Sequence, residues 1–201
     1  MSHAFHGRRE DRRLITGFGR YAADVNHPEQ LHAAFLRSDR AHARIASLDT
    51  TAALAMPGVH AVITGRDPEI AAMKNPPSNV TWPGRGGMKM NQPDRPVMAR
   101  DKVLYVGEQV AMVVADTALA AQDAVEAIAI EYEDLPPVID LEAALSPAAA
   151  QLHETIPGNL PFDYEWGDEA AAAAAFAKAD HVIRLAHVDQ RLVGNPMEPK
   201  A

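Results

Sequence analysis

Residues able to do chemistry are present in this 201-residue chain, but their spacing keeps them apart. The nine histidines are His3, His6, His27, His32, His42, His60, His153, His181 and His187. None forms an HExxH motif or an i, i+4 pair on a helix, so a metal site requires distant side chains to converge. Glu131 and Glu133, with Asp134 beside them, fall at the end of an extended segment, where i and i+2 share a face. A catalytic carboxylate pair needs a pocket that shifts its acidities. Pro136-Pro137 follows at once, which points to a solvated surface turn. No serine, histidine and aspartate stand in the order of a nucleophile elbow.

The glycines are equally incomplete. "TGFGRYAAD" carries Gly17 and Gly19 but lacks the third glycine of a dinucleotide fingerprint, a preceding apolar strand and a following helix. A tight turn accounts for it. "PGRGG" (Pro83 to Gly87) has the flexibility of a phosphate loop without the Lys-Ser/Thr or the helix that would complete one. The chain has no cysteine, which removes disulfides, thiolate zinc sites, cysteine-ligated iron–sulfur clusters and cysteine nucleophiles from its repertoire. A reduced, cytoplasmic setting is consistent with that composition.

Behind these residues lies an alternation of short strands and helices. "LHAAFLRS" (31–38) and "ARIASLD" (43–49) read as strands. "TTAALAMPG" reads as a short helix with Asp49 or Thr50 as N-cap and Pro57-Gly58 as its stop, and "VHAVITG" (59–65) as a third strand. Residues 74–96 hold five prolines, three glycines and three asparagines without periodicity, a long loop of the kind that is functional or disordered. Trp82 within it either anchors the loop to the core or contacts a partner or ligand.

"VLYVGEQVAMVVAD" (103–116) forms two extended halves around Gly107-Glu108, the second apolar on both faces as a central strand is. Ala118, Ala121, Ala124, Val125 and Ile128 then make one helical stripe, opposite Gln122, Asp123 and Glu126, with Asp116 or Thr117 as cap. "IAIEY" follows as a strand ended by Leu-Pro-Pro, completing a strand–helix–strand unit. "LEAAL" predicts a short helix. "WGDEAAAAAAFAKAD" predicts a longer one, capped by Asp168, and "HVIRLAHVDQRL" a strand exposed on one face.

Charge is uneven around the net −8. Residues 1–20 carry five arginines against Glu10 and Asp11, whereas residues 116–180 carry fourteen acids against Lys178 alone. The acidic half argues against nucleic acid as a partner. The basic arm is either a solvated tail or a dock for an acidic surface. No run of 18 apolar residues occurs, which argues against a membrane span.

Several stretches together resemble one family. "RREDRRLITGFGRYAADV" and "LHAAFLRSDRAHARIASLDTTAALAMPGVHAVITGRD" are similar to the opening of the large subunit of molybdenum hydroxylases, the relatives of xanthine dehydrogenase, aldehyde oxidase and aerobic carbon monoxide dehydrogenase. "MARDKVLYVGEQVAMVVADTALAAQDAVEAIAIEYEDLPPVID" and "GDEAAAAAAFAKADHVIRLAHVDQRLVGNPMEPKA" continue the likeness in the correct order. The resemblance implies an α+β fold: a basic arm over 1–17, an α/β hammerhead domain over 18–135, a linker over 136–160, and over 161–201 the incomplete start of a molybdopterin-binding domain.

The family's cofactor-holding glycine segments and its general-base glutamate lie beyond the Met-Glu-Pro motif, here Met197-Glu198-Pro199. No catalytic, cofactor-binding or metal-binding residue is therefore assigned to this chain. The expectation is a scaffold segment or small subunit of a molybdenum-dependent oxidoreductase acting on an aldehyde, purine, N-heterocycle or CO. Molybdopterin would sit in the full assembly, with iron–sulfur clusters and FAD on partner chains. Its partners would be the remaining molybdopterin-binding portion, those iron–sulfur and FAD subunits, and a second copy through self-association. The rival expectation is a stand-alone structural or binding module that kept the hammerhead fold without enzyme activity.

Overall fold

A computed structural model describes residues 7–73, 83–189 and 194 of the chain. The strands are β1 (His32–Arg37), β2 (Ala43–Asp49), β3 (Val59–Thr64), β4 (Lys102–Val103), β5 (Gln109–Ala115) and β6 (Ala129–Asp134). The helices are α1 (Asp11–Ile15), α2 (Thr51–Leu54), α3 (Pro68–Ala71), α4 (Ala118–Glu126) and α5 (Glu169–Ala177). Two compact units result, residues 31–169 and residues 1–30 with 170–201.

In the larger unit the six strands form two three-stranded sheets, ordered β1-β5-β3 and β4-β2-β6. Every pairing is antiparallel. Successive strands alternate between the sheets, so each predicted strand–helix–strand unit bridges from one sheet to the other. β5 lies at the centre of its sheet because Ala111, Val113 and Ala115 are fully buried on one side and Val110 on the other. Val113 is flanked by Ala34 of β1 and Val62 of β3.

Small residues set the spacing of the core. Ala121 and Ala124 of α4, Ala53 of α2 and Ile128 close over Ala111, Val113 and Ala115. Alanine at these positions lets a helix axis approach the sheet without leaving voids. A second cluster joins Ala43, Ile45, Ala99, Val103 and Val110, and Leu36 and Leu48 pack against both. Thr117 caps α4, its hydroxyl accepting from the Ala120 N–H at 3.1 Å.

Four expectations change. The first half of 103–116 shrinks to Lys102–Val103, because the chain turns at Gly107, whose φ is +90°. "LEAAL" becomes a single 3₁₀ turn, Ala143–Leu145. Residues 181–189, expected to be a strand, form none. An extended segment becomes a strand only when a neighbour supplies its ladder, and Val182, Ile183, Leu185 and Val188 are instead all exposed. Residues 190–192 of the same expected strand lie outside the described residues.

The basic arm, finally, contains α1. Gly17, at φ +77°, ends that helix: Phe18 N donates to Arg13 O at 2.8 Å and Gly17 N to Leu14 O at 3.4 Å, a Schellman stop. The tight turn expected at "GFG" is therefore a helix C-cap.

The described part of the proline-rich loop is held rather than loose. Arg85 N donates to Asp163 O and Asn91 N to Pro161 O, both at 2.9 Å. The Arg85 guanidinium lies 3.0 Å from a Glu165 carboxylate oxygen. Asn159 organises the segment beneath: its Nδ2 donates to Ala144 O and Ala150 O, and its Oδ1 accepts from Leu152 N.

Candidate functional site

Burial concentrates the polar chemistry at one corner of the larger unit, because two turns and a strand end converge there. The buried polar side chains are Ser38, His42 and Glu108. Ser38 and His42 flank the β1–β2 turn, Glu108 enters β5, and Tyr132 of β6 packs nearby. Ser38 N donates to Glu108 O at 2.8 Å, and Gly107 N donates back to Ser38 O at 2.7 Å. The Ser38 hydroxyl donates to Arg40 O and accepts from Arg40 N, which closes the β1–β2 turn on itself.

The Glu108 carboxylate accepts from Leu104 N at 2.5 Å. Burial pushes its acidity above the ordinary carboxylate value, while hydrogen bonds from the Leu104 and Tyr105 main chain pull the other way. Burial likewise raises the Tyr132 hydroxyl, helped by the charges of Asp39 and Glu108 and opposed by a Ser38 hydrogen bond and by Arg40. The Arg40 guanidinium lies 6.0 Å from the Tyr132 ring centroid, at cation–π range. A raised carboxyl beside a phenol is the raw material of acid–base chemistry. Here Glu108 is engaged by the main chain of the turn before β5 and Tyr132 by Ser38 of the β1–β2 turn, so the arrangement ties the turns together.

His42 completes the corner. Its Nδ1 lies 2.8 Å from Pro136 O, and since a carbonyl only accepts, Nδ1 carries a proton. His42 O accepts from Leu135 N at 2.9 Å, which ties the exit of β6 to the β1–β2 turn. His42 Nε2 is buried without a partner among the described residues.

The other residues singled out from the sequence fall elsewhere. Glu131 and Glu133 share the exposed face of β6, where Glu131 accepts from the Ser47 hydroxyl at 3.1 Å. Asp134 sits 3.7 Å from Arg40. His153 is drawn below the ordinary imidazole value by burial and by Lys102, with Asp94 opposing. Gly84 in "PGRGG" has no room for a side chain, since a Cβ would stand 2.5 Å from Met88 O. Trp82, His3, His6 and Met197-Glu198-Pro199 lie outside the described residues.

Sequence reasoning missed the pairing of His60 Nε2 with Asp116 Oδ1 at 2.6 Å. The two are separated by 56 positions and meet only because β3 bulges between Val59 and Ala61. Among the described residues no three His, Asp or Glu side chains converge on a common point. Nor is any described helix long and apolar enough to cross a membrane.

Comparison with known proteins agrees with the layout. The family model described as "Aldehyde oxidase and xanthine dehydrogenase, a/b hammerhead domain" matches residues 16–136. Subunit gamma of the 6-hydroxypseudooxynicotine dehydrogenase complex of Paenarthrobacter nicotinovorans is 40% identical over 206 residues, covering 96% of this chain and 24% of that protein. The nicotinate dehydrogenase large molybdopterin subunit of Eubacterium barkeri is 33% identical, across 93% of this chain and 40% of its own length. The solved structure of reconstituted CO dehydrogenase from Oligotropha carboxidovorans superposes with a TM-score of 0.70 at 34% identity, over 88% of this chain and 22% of that one. The chain thus spans about a quarter of the length of the first of these relatives.

Proposed function

The chain belongs to the aldehyde oxidase and xanthine dehydrogenase family of molybdenum hydroxylases, through its a/b hammerhead domain, and on that premise we propose that it is the scaffold portion of a molybdenum-dependent oxidoreductase. The observation that carries this reading is the hammerhead match over residues 16–136, laid on two sheets in which buried Ser38 and Glu108 hydrogen-bond main chain of adjacent turns. In this reading residues 1–17 are an arm, 18–135 the scaffold, 136–160 a linker and 161–201 the lead into a molybdopterin-binding domain. The substrate class is an aldehyde, a purine, an N-heterocycle or CO. The setting is cytoplasmic, in keeping with the cysteine-free composition.

In this reading no described residue is assigned to the molybdenum cofactor. Glu108 is engaged by Leu104 N, His60 by Asp116 and His42 Nδ1 by Pro136 O, and no acidic or imidazole cluster remains to receive a metal centre. No step of the reaction is therefore derived through that group. Molybdopterin is assigned to a remaining molybdopterin-binding portion, and iron–sulfur clusters and FAD to partner chains. What this chain contributes is position: a rigid pair of sheets against which such a portion packs.

Isolation of the chain from its native cell, with metal and flavin analysis of whatever accompanies it, tests the reading. Co-isolation with molybdenum, iron and flavin is expected. Recovery of the chain alone, free of all three, overturns it.

A further inference from the structure

In the smaller unit a run of apolar side chains lies open to water. Apart from Glu169, α5 consists of alanines and Phe176, and none of its residues is buried among the described residues. A helix that is apolar all round belongs in a protein interior, because it has no polar face to turn to solvent. Phe176 and Ala177 at its end line a predominantly apolar concavity of about 840 Å³ together with Val182, Ile183 and Arg184.

Residues 181–189, which follow, belong to no ladder. Strand geometry would put Ile183 and Leu185 on one face and Val182, Ala186 and Val188 on the other. Ile183 is 92% and Leu185 87% exposed, and the other three are exposed as well. Apolar residues on both faces are the pattern of a strand inside a covered sheet, the pattern that β5 shows in the larger unit. An edge strand carries charge or keeps one face polar.

That pattern selects the occupant. A second copy of the segment would supply one ladder and leave both faces of the resulting two-stranded ribbon in water, where such ribbons are marginal. What fits is a larger folded body that brings strands and covers both faces. The relative that is 40% identical has such a body available: its alignment spans 96% of this chain, which takes in residues 170–189, yet only 24% of that protein.

Resting on the reading of the chain as part of a molybdenum-dependent oxidoreductase, we infer that residues 181–189 are taken up as an interior strand by the remaining molybdopterin-binding portion, with α5 buried in the same contact. The attachment is by strand addition: main-chain hydrogen bonds hold the segment and alternate side chains fill opposite faces. The two hammerhead sheets are then not the only surface on which that portion rests.

Hydrogen exchange tests this, comparing the full chain alone with the molybdenum-bearing assembly isolated from the native cell. The amides of residues 182–188 should exchange freely in the chain alone and at least ~100-fold more slowly in the assembly. The double substitutions I183D/L185D and V182D/V188D, one for each face, should each lower the molybdenum recovered with the chain about tenfold or more, while thermal unfolding of the chain alone is unchanged. A molybdenum-bearing assembly in which these amides still exchange freely overturns the inference and leaves the reading it rests on standing. Loss of molybdenum with only one of the two doubles overturns the interior position. Protection already present in the chain alone, with a dimer in sedimentation, gives the segment to a second copy and overturns it too. Recovery of the chain with no molybdenum-bearing partner overturns both the inference and the reading.

Discussion

His60 Nε2 and Asp116 Oδ1 stand 2.6 Å apart, joining the bulged residue of β3 to the residue that follows β5. The same carboxylate crowds Gly58, where a Cβ would lie 3.0 Å from Asp116 Oδ2 and where φ is +77°. Both partners of the pair are about half exposed, so water competes for the interaction. His60→Ala should therefore cost below about 1 kcal/mol in chemical denaturation. Gly58→Ala should cost more, because it strains the left-handed turn as well as crowding the carboxylate. The opposite ranking would show that the His60–Asp116 hydrogen bond dominates this end of the sheet.

Glu108 gives a pH signature. Its acidity is raised in the folded chain chiefly by burial, so the folded state holds this proton to higher pH than the unfolded state does. The corresponding stability is fully present below the unfolded value, near 4.5, and is lost as pH rises through the folded one. Glu108→Gln keeps an acceptor for Leu104 N and removes the titration. Denaturation from pH 4 to 8 should give a flatter stability profile for the variant than for the native chain. Identical profiles would mean that the buried carboxyl does not titrate differently on folding.

Val113 is fully buried between Ala34 and Val62, with α4 above it. Val113→Ala should cost about 2 kcal/mol, from lost burial and the cavity left behind. Val114→Ala, one position along and only partly buried, should cost less than half of that. Equal losses would contradict the alternation of β5.

Gly84→Ala probes the strap between the loop and residues 161–165. The new Cβ would meet Met88 O at 2.5 Å and Asp163 O at 2.9 Å, so the Arg85–Asp163 main-chain bond must break. Limited proteolysis should then cut residues 83–91 faster while the far-ultraviolet dichroism stays unchanged. Unaltered cleavage would show that the strap tolerates the extra carbon.

The elements of the hammerhead were legible where one physical signal dominated. The unbroken apolar run of β5 announced a central strand, and the alanine stripe of α4 with Thr117 ahead of it announced a capped helix. Pairing was not legible, since β2 and β3, or β5 and β6, are neighbours in sequence but belong to different sheets. The strand expected over 181–189 had the correct alternation and lacked a ladder, which pattern alone does not supply. At the polar corner, "GE" at 107–108 read as a simple turn. Only the packing of Ser38 and Tyr132 around it makes Glu108 a buried charge.

The alternation of strands between sheets bears on how the chain comes to be folded. β1 pairs only with β5, and β2 waits for β4 and then β6, so neither sheet can be finished by a contiguous piece of sequence. During synthesis the first sheet stays open until Ala115 has emerged, and the second until Asp134. Every strand pairing in the two sheets joins residues far apart in sequence, which slows the search for the fold. A cut anywhere between β1 and β6 leaves both halves with unpaired edges, and such fragments aggregate rather than fold. The larger unit is thus kinetically indivisible, although its strands are short and its helices few.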